Sequence, residues 1–277
     1  MSQMLRVSKK QPCPICKKPD WCLIGKSIVL CMRVVSEKSK VMADGSTGYL
    51  HSLDSNIRIV PEKRQKTPPL NRPWAEVLEE WRKKYKDIGL DGMAHSLGVS
   101  AASLKALGCQ LTPKWQTYGF PMRNGSNHII GVRLRNLDGK KWAWPGSHNG
   151  LFIPQSNMDG CLYIVEGPTD TAAAITMGVR AIGRPSCMGG VDLILEYIRV
   201  NNIKRVVIVG DVDKDVIRNG KLQPNPGTVG ASTLSIHLKV SHCVLLPPTK
   251  DMRSFLNQGG DWKTLDYLTS QCLWKNP

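Results

Sequence analysis

The chain has 277 residues, 41% of them hydrophobic, and 38 Lys and Arg against 22 Asp and Glu, for a formal net charge of +16. That length allows one large domain or two to three small ones around a real core, and no apolar run approaches the ~18 residues of a membrane span. An excess of positive charge this large points to a polyanionic partner. Residues 1–70 carry 13 Lys and Arg against 5 acids and residues 71–160 carry 12 against 7, so most of the excess sits in the first 160 residues. Met1 to Lys10 lacks the apolar stretch of a secretory signal, and the nine cysteines are mostly scattered. Both features lead us to expect a cytoplasmic protein in a reducing compartment, with no membrane partner.

In chain order, residues 11–54 hold Cys13-Pro14-Ile15-Cys16, Cys22, Cys31 and His51. A Cys-x-x-Cys knuckle followed by short strands and a further Cys has the logic of a zinc ribbon. Trp21–Ile24 and Ser27–Met32, turning at Gly25-Lys26, should form its hairpin. Few large apolar residues lie here, so a metal is needed as a staple. The expected ligands are Cys13, Cys16, Cys31 and His51, which lies beyond the hairpin and can fold back, with Cys22 the alternative to His51. The domain is expected to span 1–54, and residues 55–73, with Pro61, Pro68, Pro69 and Pro73 among Lys and Arg, read as a basic linker.

Trp74 to Tyr85 has apolar residues at helical spacing, and His95 to Leu107 repeats the pattern with Ser100 as N-cap. The second stretch is similar to half of a helix-turn-helix but reads as a small helical platform. Gly119 to Pro154 changes period. Phe120 to Arg123, His128 to Arg135 and Lys140 to Trp144 alternate apolar and basic residues, with turns at Asn124-Gly125 and Asp138-Gly139, so antiparallel strands joined by tight hairpins are expected. Alternation should put Val132 and Leu134 on the core face and Arg133 and Arg135 on the other. Arg123, Arg133, Arg135, Lys140 and Lys141 are then candidates for phosphates, and Trp142 for stacking on a base. Residues 74–160 are read as one helical and β part.

From Cys161 the chain alternates strand and helix to its end, giving an expected α/β domain over 161–277 with a parallel sheet flanked by helices. Two β-branched runs end abruptly in acids: Leu162 to Glu166-Gly167, and Val206 to Gly210-Asp211-Val212-Asp213. Buried parallel strands look like this where they leave the sheet, and ligands bind beyond the carboxyl ends of such strands. Glu166, Asp211 and Asp213 would emerge together, repel one another, and be relieved by a divalent cation.

Glu166-Gly167 with Asp170, then Asp211-Val212-Asp213, then Lys250-Asp251 before an apolar helix, resembles the Toprim domain shared by DnaG-type primases, type IA and II topoisomerases, OLD-family nucleases and recombination mediators. Lys250 to Leu256 is most similar to phage and mitochondrial primase-helicases. The order of ribbon, helices and basic β segment before it resembles the core of phage-type primases, a group carried by phages and mobile elements. One departure stands out: primase ribbons usually close with a second Cys-x-x-Cys, and here Val34 occupies the place after Cys31.

The resemblance implies a DNA primase that polymerises ribonucleoside triphosphates into RNA primers on single-stranded DNA. It would use Mg²⁺ or Mn²⁺ held by Glu166, Asp211 and Asp213, and one structural Zn²⁺. Asp170 and Asp251 would tune the metals, and Lys214 or Lys250 would neutralise a phosphate. No Gly-x-x-x-x-Gly-Lys-Ser/Thr loop occurs, so a separate helicase partner is expected. The alternatives are a Toprim nuclease using the same acids with water, or a non-catalytic adaptor that binds single-stranded DNA. The insert Lys214 to Pro226 has no assigned role.

Overall fold

The computed structural model describes residues 4–42, 46–53, 72–85, 89–114, 117–155, 159–212, 216–218, 221–223 and 225–276. The expected linker lies almost wholly outside them, as do Asp213 and Lys214. The chain divides into two compact units, Met1–Pro68 and Pro69–Pro277.

The smaller unit is an antiparallel sheet of β1 (Leu5–Arg6), β2 (Leu23–Ile24), β3 (Ile28–Cys31), β4 (Ser39–Val41) and β5 (Thr47–Ser52), in the order β1-β2-β3-β5-β4. The expected hairpin forms with Leu23 opposite Leu30, though its first strand is shorter than predicted because Trp21 has a φ of +68° and leaves the strand. Val7, Ile24 and Val29 pack with Cys13, Cys16, Cys22 and Cys31 as its small core.

In the larger unit α1 (Trp74–Tyr85) forms where the periodicity places it. The apolar pattern from His95 to Leu107 covers the end of α2 (Leu90–Leu97) and the whole of α3 (Ala101–Ala106), with Ser100 between them. Gly98, at φ +67°, ends α2 in a left-handed turn that a side chain would strain, and Ser100 Oγ then caps α3 by accepting from Ser103 N–H. An antiparallel sheet follows: β6 (Gln110–Leu111), β7 (Thr117–Arg123), β8 (Ile129–Asn136) and β9 (Lys141–Ala143). The connection at Asn124-Gly125 is a five-residue loop rather than a two-residue turn, and Glu196 accepts from Gly125 N–H at 3.1 Å and from Ser126 Oγ–H to hold it.

The rest is built on a four-stranded parallel sheet, in the order β11-β10-β12-β15, of β10 (Leu162–Glu166), β11 (Ala181–Arg184), β12 (Arg205–Val209) and β15 (Ser241–Leu245). The intervening elements are α4 (Gly167–Thr176), α5 (Val191–Val200), the hairpin β13 (Val216–Arg218) and β14 (Lys221–Gln223) inside the Lys214–Pro226 insert, and α6 (Pro226–His237). After the last strand come α7 (Met252–Asn257) and α8 (Trp262–Ser270).

Strand alternation splits the sheet's side chains between two cores. Tyr163, Val165, Val207, Val209 and Leu245 pack with α2, α3, α4, α7 and α8, whereas Leu162, Ile164, Val206 and Ile208 pack with α5 and α6. Helices on both faces explain why these strands read as unbroken apolar runs. The first core also takes Tyr118, Phe120 and Met122 from β7, so the regions read as 74–160 and 161–277 share it. Leu151 and Phe152 join the two sheets: Leu151 exchanges backbone hydrogen bonds with Arg123 on β7, and Phe152 with Gly183 on β11.

Candidate active site and metal centre

In the smaller unit Cys13, Cys16, Cys22 and Cys31 are all buried, and their sulfurs lie within 4.8 Å of one another. A tetrahedral zinc with Zn–S bonds of ~2.3 Å sets its sulfurs about 3.8 Å apart. Cys16–Cys22 at 3.5 Å and Cys22–Cys31 at 3.9 Å fit that spacing, so the four could bind one zinc. Backbone N–H groups of Cys16, Met32 and Val34 donate to the sulfurs of Cys13, Cys22 and Cys31. Contacts from Cys22 and then Cys31 hold the Cys13 thiol far below its ordinary pKa, so a thiolate is already favoured there.

His51 is not part of this cluster, which corrects the expected ligand set in favour of Cys22. Its Nε2 lies 2.9 Å from the carbonyl of Val34. On β5 the residue pairs with Val29, while Cys22 sits just before β2, where the chain re-enters the knuckle.

In the larger unit Glu166 is the last residue of β10 and Asp211 follows the end of β12 by two. Leu162 to Ile164 pair with Val206 to Ile208, so Glu166 is level with Gly210. Both acids therefore leave neighbouring strands at the carboxyl edge, where the strand spacing is about 4.8 Å. Gly167, at φ +72°, makes the sharp change from strand to α4. Asp211 is fixed by its neighbours: Gly210 N–H donates to Leu245 and Val212 N–H to the Lys250 carbonyl. Gly227 at the start of α6 admits this loop, because a Cβ there would lie 2.1 Å from the Asp211 carbonyl oxygen.

Asp170 and Asp251 are buried and turned to α7. Asp170 Oδ1 accepts from Arg253 N–H at 2.9 Å, and Asp251 Oδ1 caps the helix by accepting from Ser254 N–H at 2.7 Å. Burial, followed by the Asp251 charge, pushes the Asp170 pKa up to about 6. Basic groups surround this pair. Arg135, Lys141 and Arg253 all act on one another or on Asp170, and Lys141 also feels Glu166. Burial, then Arg253, lowers the Arg135 pKa. Lys141 is exposed on β9, and desolvation, then Arg135, lowers its pKa.

Arg133 and Arg135 do not face solvent as expected; each is 8% exposed. Both faces of the antiparallel sheet are covered. Val132 and Leu134 pack under α1 with Trp74, Leu78 and Trp81. The opposite face, where Arg133 pairs with Phe120 and Arg135 with Tyr118, turns into the shared core. Arg133 Nη2 donates to Asn149 Oδ1, and Arg123, also buried, donates from Nη1 to the Asn127 carbonyl. Trp142 is partly buried against the α1 cluster, with Lys114 and Lys140 each 5.9 Å from its ring centre.

Arg184, which sequence reasoning missed, is in register with Glu166 and 3% exposed. Nε donates to the Gly189 carbonyl and Nη1 to that of Gly230, while buried Nη2 has no hydrogen-bond partner among the described residues. Burial lowers its pKa, and the nearby charges of Cys187, Glu166 and Asp211 oppose that. A resident cation thus already offsets part of the repulsion between the edge acids. The signal was present: a lone Arg closes a buried run at Ala181–Arg184.

No family model matches the chain, and no curated protein does. Solved structures do. The catalytic core of DnaG superposes with a TM-score of 0.56 at 13% identity, over 72% of this chain and 80% of that one. The E. coli primase catalytic core gives 0.54 at 13%, over 73% and 80%. The primase fragment of the bacteriophage T7 primase-helicase gives 0.53 at 13%, over 96% and 99%.

The fold is that of primase catalytic cores. A parallel sheet flanked by helices, with the antiparallel β and helical elements before it and a cysteine cluster at the N-terminus, is what the sequence led us to expect. Among the described residues no helix is long and apolar enough to cross a membrane.

Proposed function

We propose that the chain is a DNA primase of the Toprim type, making RNA primers from ribonucleoside triphosphates on single-stranded DNA. The observation that carries this reading is that Glu166 and Asp211 leave neighbouring strands at one carboxyl edge, with Arg135, Lys141 and Arg253 gathered around Asp170 on α4, the helix that begins directly after Glu166. Nucleotidyl transfer needs both: carboxylate oxygens for a divalent cation, and positive charge for the phosphates.

Glu166 and Asp211, with Asp213, would hold Mg²⁺ or Mn²⁺, which supplies activation of the attacking 3′-hydroxyl and neutralisation of phosphate charge. Asp170 and Asp251 each commit an oxygen to α7, so their part is to set Arg253 and the helix start in place beside the acids. Lys141 and Arg253 would take phosphates of nucleotide or template, with Arg135 buried behind them and the exposed Lys140 just before β9. The cysteine cluster would carry structural zinc in a ribbon spanning 1–54, tethered through 55–73 to the core. A separate helicase and a cytoplasmic setting belong to the same proposal.

The test is primer synthesis from labelled ribonucleotides on single-stranded DNA, with Mg²⁺ or Mn²⁺. Wild type should extend primers, and Asp211→Asn and Glu166→Gln should not while still binding template. Cleavage of the template without synthesis would favour a nuclease. Near-normal synthesis by both variants would remove the reading.

A further inference from the structure

We infer that Arg184 is a fixed counter-cation built into the candidate active site, a positioning residue that lets the edge acids take one divalent cation in the free protein and a second only together with the phosphates of a nucleotide. This rests on the reading of Glu166, Asp211 and Asp213 as ligands of Mg²⁺ or Mn²⁺, and goes beyond it to how many ions they hold and how tightly. Carboxylate oxygens are the donors such hard cations prefer. The sheet places the cation beside them. Ile164 on β10 and Ile182 on β11 are in register, and both enter the core under α5 and α6. Glu166 and Arg184 are the next pair on that face, because side chains two residues apart along a strand point alike. The backbones of the acid and of the cation are therefore about one strand spacing apart, ~4.8 Å.

The guanidinium is locked where it lies. Nε donates to the Gly189 carbonyl at 3.3 Å and Nη1 to the Gly230 carbonyl at 3.1 Å. Both acceptors are backbone with little room to move: a Cβ on Gly230 would lie 2.0 Å from the Cys187 carbonyl oxygen, so α6 presses directly on the 185–190 loop. At 3% exposure the side chain is too deep to touch a substrate. Its buried Nη2 has no hydrogen-bond partner among the described residues. A guanidinium buried short of partners is costly, and packing alone would be served as well by an apolar side chain. What offsets the cost is the negative charge of Glu166 and Asp211, both of which act on it.

Charge then sets the number of ions. Glu166, Asp211 and, by sequence, Asp213 supply three carboxylates, and one guanidinium leaves two net negative charges, which a single divalent cation cancels. A second ion would make the edge net positive, beside Lys141, whose ammonium already acts on Glu166 and is itself crowded by Arg135 and Arg253. Like charges gathered in a partly buried site repel strongly. A nucleoside triphosphate removes the obstacle, because it brings several negative charges of its own. Arg184 thus stands where it weakens the first ion and excludes the second until phosphates arrive.

The experiment titrates the full-length, zinc-loaded protein with Mn²⁺, following free ion by electron paramagnetic resonance and heat by calorimetry. Without nucleotide, wild type should bind one Mn²⁺ per chain, lost in Asp211→Asn, and a second should bind once a non-hydrolysable ribonucleoside triphosphate is added. Arg184→Gln keeps hydrogen-bond donors for the two carbonyls and removes the charge. It should bind the first ion about tenfold tighter or more, the repulsion of a fixed unit charge on a divalent ion one to two strand spacings away, and admit a second without nucleotide. Arg184→Lys keeps the charge and should bind as wild type does, a difference from Arg184→Gln that a purely structural role would not produce. Two ions of similar affinity on wild type without nucleotide would overturn the counter-cation, and that measurement needs no variant to fold. So would Arg184→Gln, shown folded by melting, binding Mn²⁺ as wild type does. One ion without primer synthesis would uphold Arg184 and remove the primase reading, whereas synthesis with two ions on the free protein would do the reverse.

Discussion

Replacing Asp170 by Asn should make the larger unit more stable at neutral pH and leave it nearly unchanged in acid. Asp170 is 8% exposed and has a pKa of about 6, against an ordinary value of 3.8. The native state therefore holds this proton more tightly than the unfolded chain does. The stability associated with it is complete below pH ~3.8 and is lost as pH rises through 6. At about 1.4 kcal/mol per pK unit, the gap between 3.8 and about 6 corresponds to ~3 kcal/mol by pH 7. Asn carries no charge and keeps an oxygen for the Arg253 N–H. The difference between Asp170→Asn and wild type should thus grow from near zero at pH 4 to ~3 kcal/mol at pH 7, or some 6–12 °C in the transition of the larger unit. Thermal and urea melting from pH 4 to 8, in buffers without added Mg²⁺, reads it directly. A difference that stays flat across that range, or a wild type that gains on the variant between pH 4 and 6, would refute the reasoning.

The cysteine cluster predicts about one equivalent of zinc by metal analysis, lost in Cys22→Ser and retained in His51→Ala, because the Cys22 sulfur belongs to the cluster and the His51 ring contacts Val34. Gly227→Ala should cost roughly 1–3 kcal/mol in melting experiments and remove primer synthesis, since its Cβ would meet both the carbonyl and the amide of Asp211 and shift the loop. Gly92→Ala is the matched control: it lies inside α2 with no heavy atom within 4 Å of an added Cβ, and should be neutral or stabilise by up to ~1 kcal/mol.

What the sequence determined by itself was the local and the periodic. Apolar runs ending in Glu166 and in Gly210-Asp211 are parallel strands at a sheet's carboxyl edge, because both faces of such strands are buried and the signal is carried by consecutive residues. The helix from Trp74 to Tyr85 and the cap at Ser100 were legible for the same reason. Tertiary structure decided the rest. Alternation shows that Arg133 and Arg135 share a face, but not that the face turns into the core shared with the parallel sheet; that depends on what packs across it. The choice of Cys22 over His51 turns on how β2 and β5 are placed around the knuckle, which Cys spacing does not encode. Arg184 and Arg253 come to the acids from other elements, one through parallel register with Glu166 and one through a backbone bond to Asp170. Charge acts through space, so the balance of this site is set by the fold that gathers the residues, and no local stretch of sequence holds it.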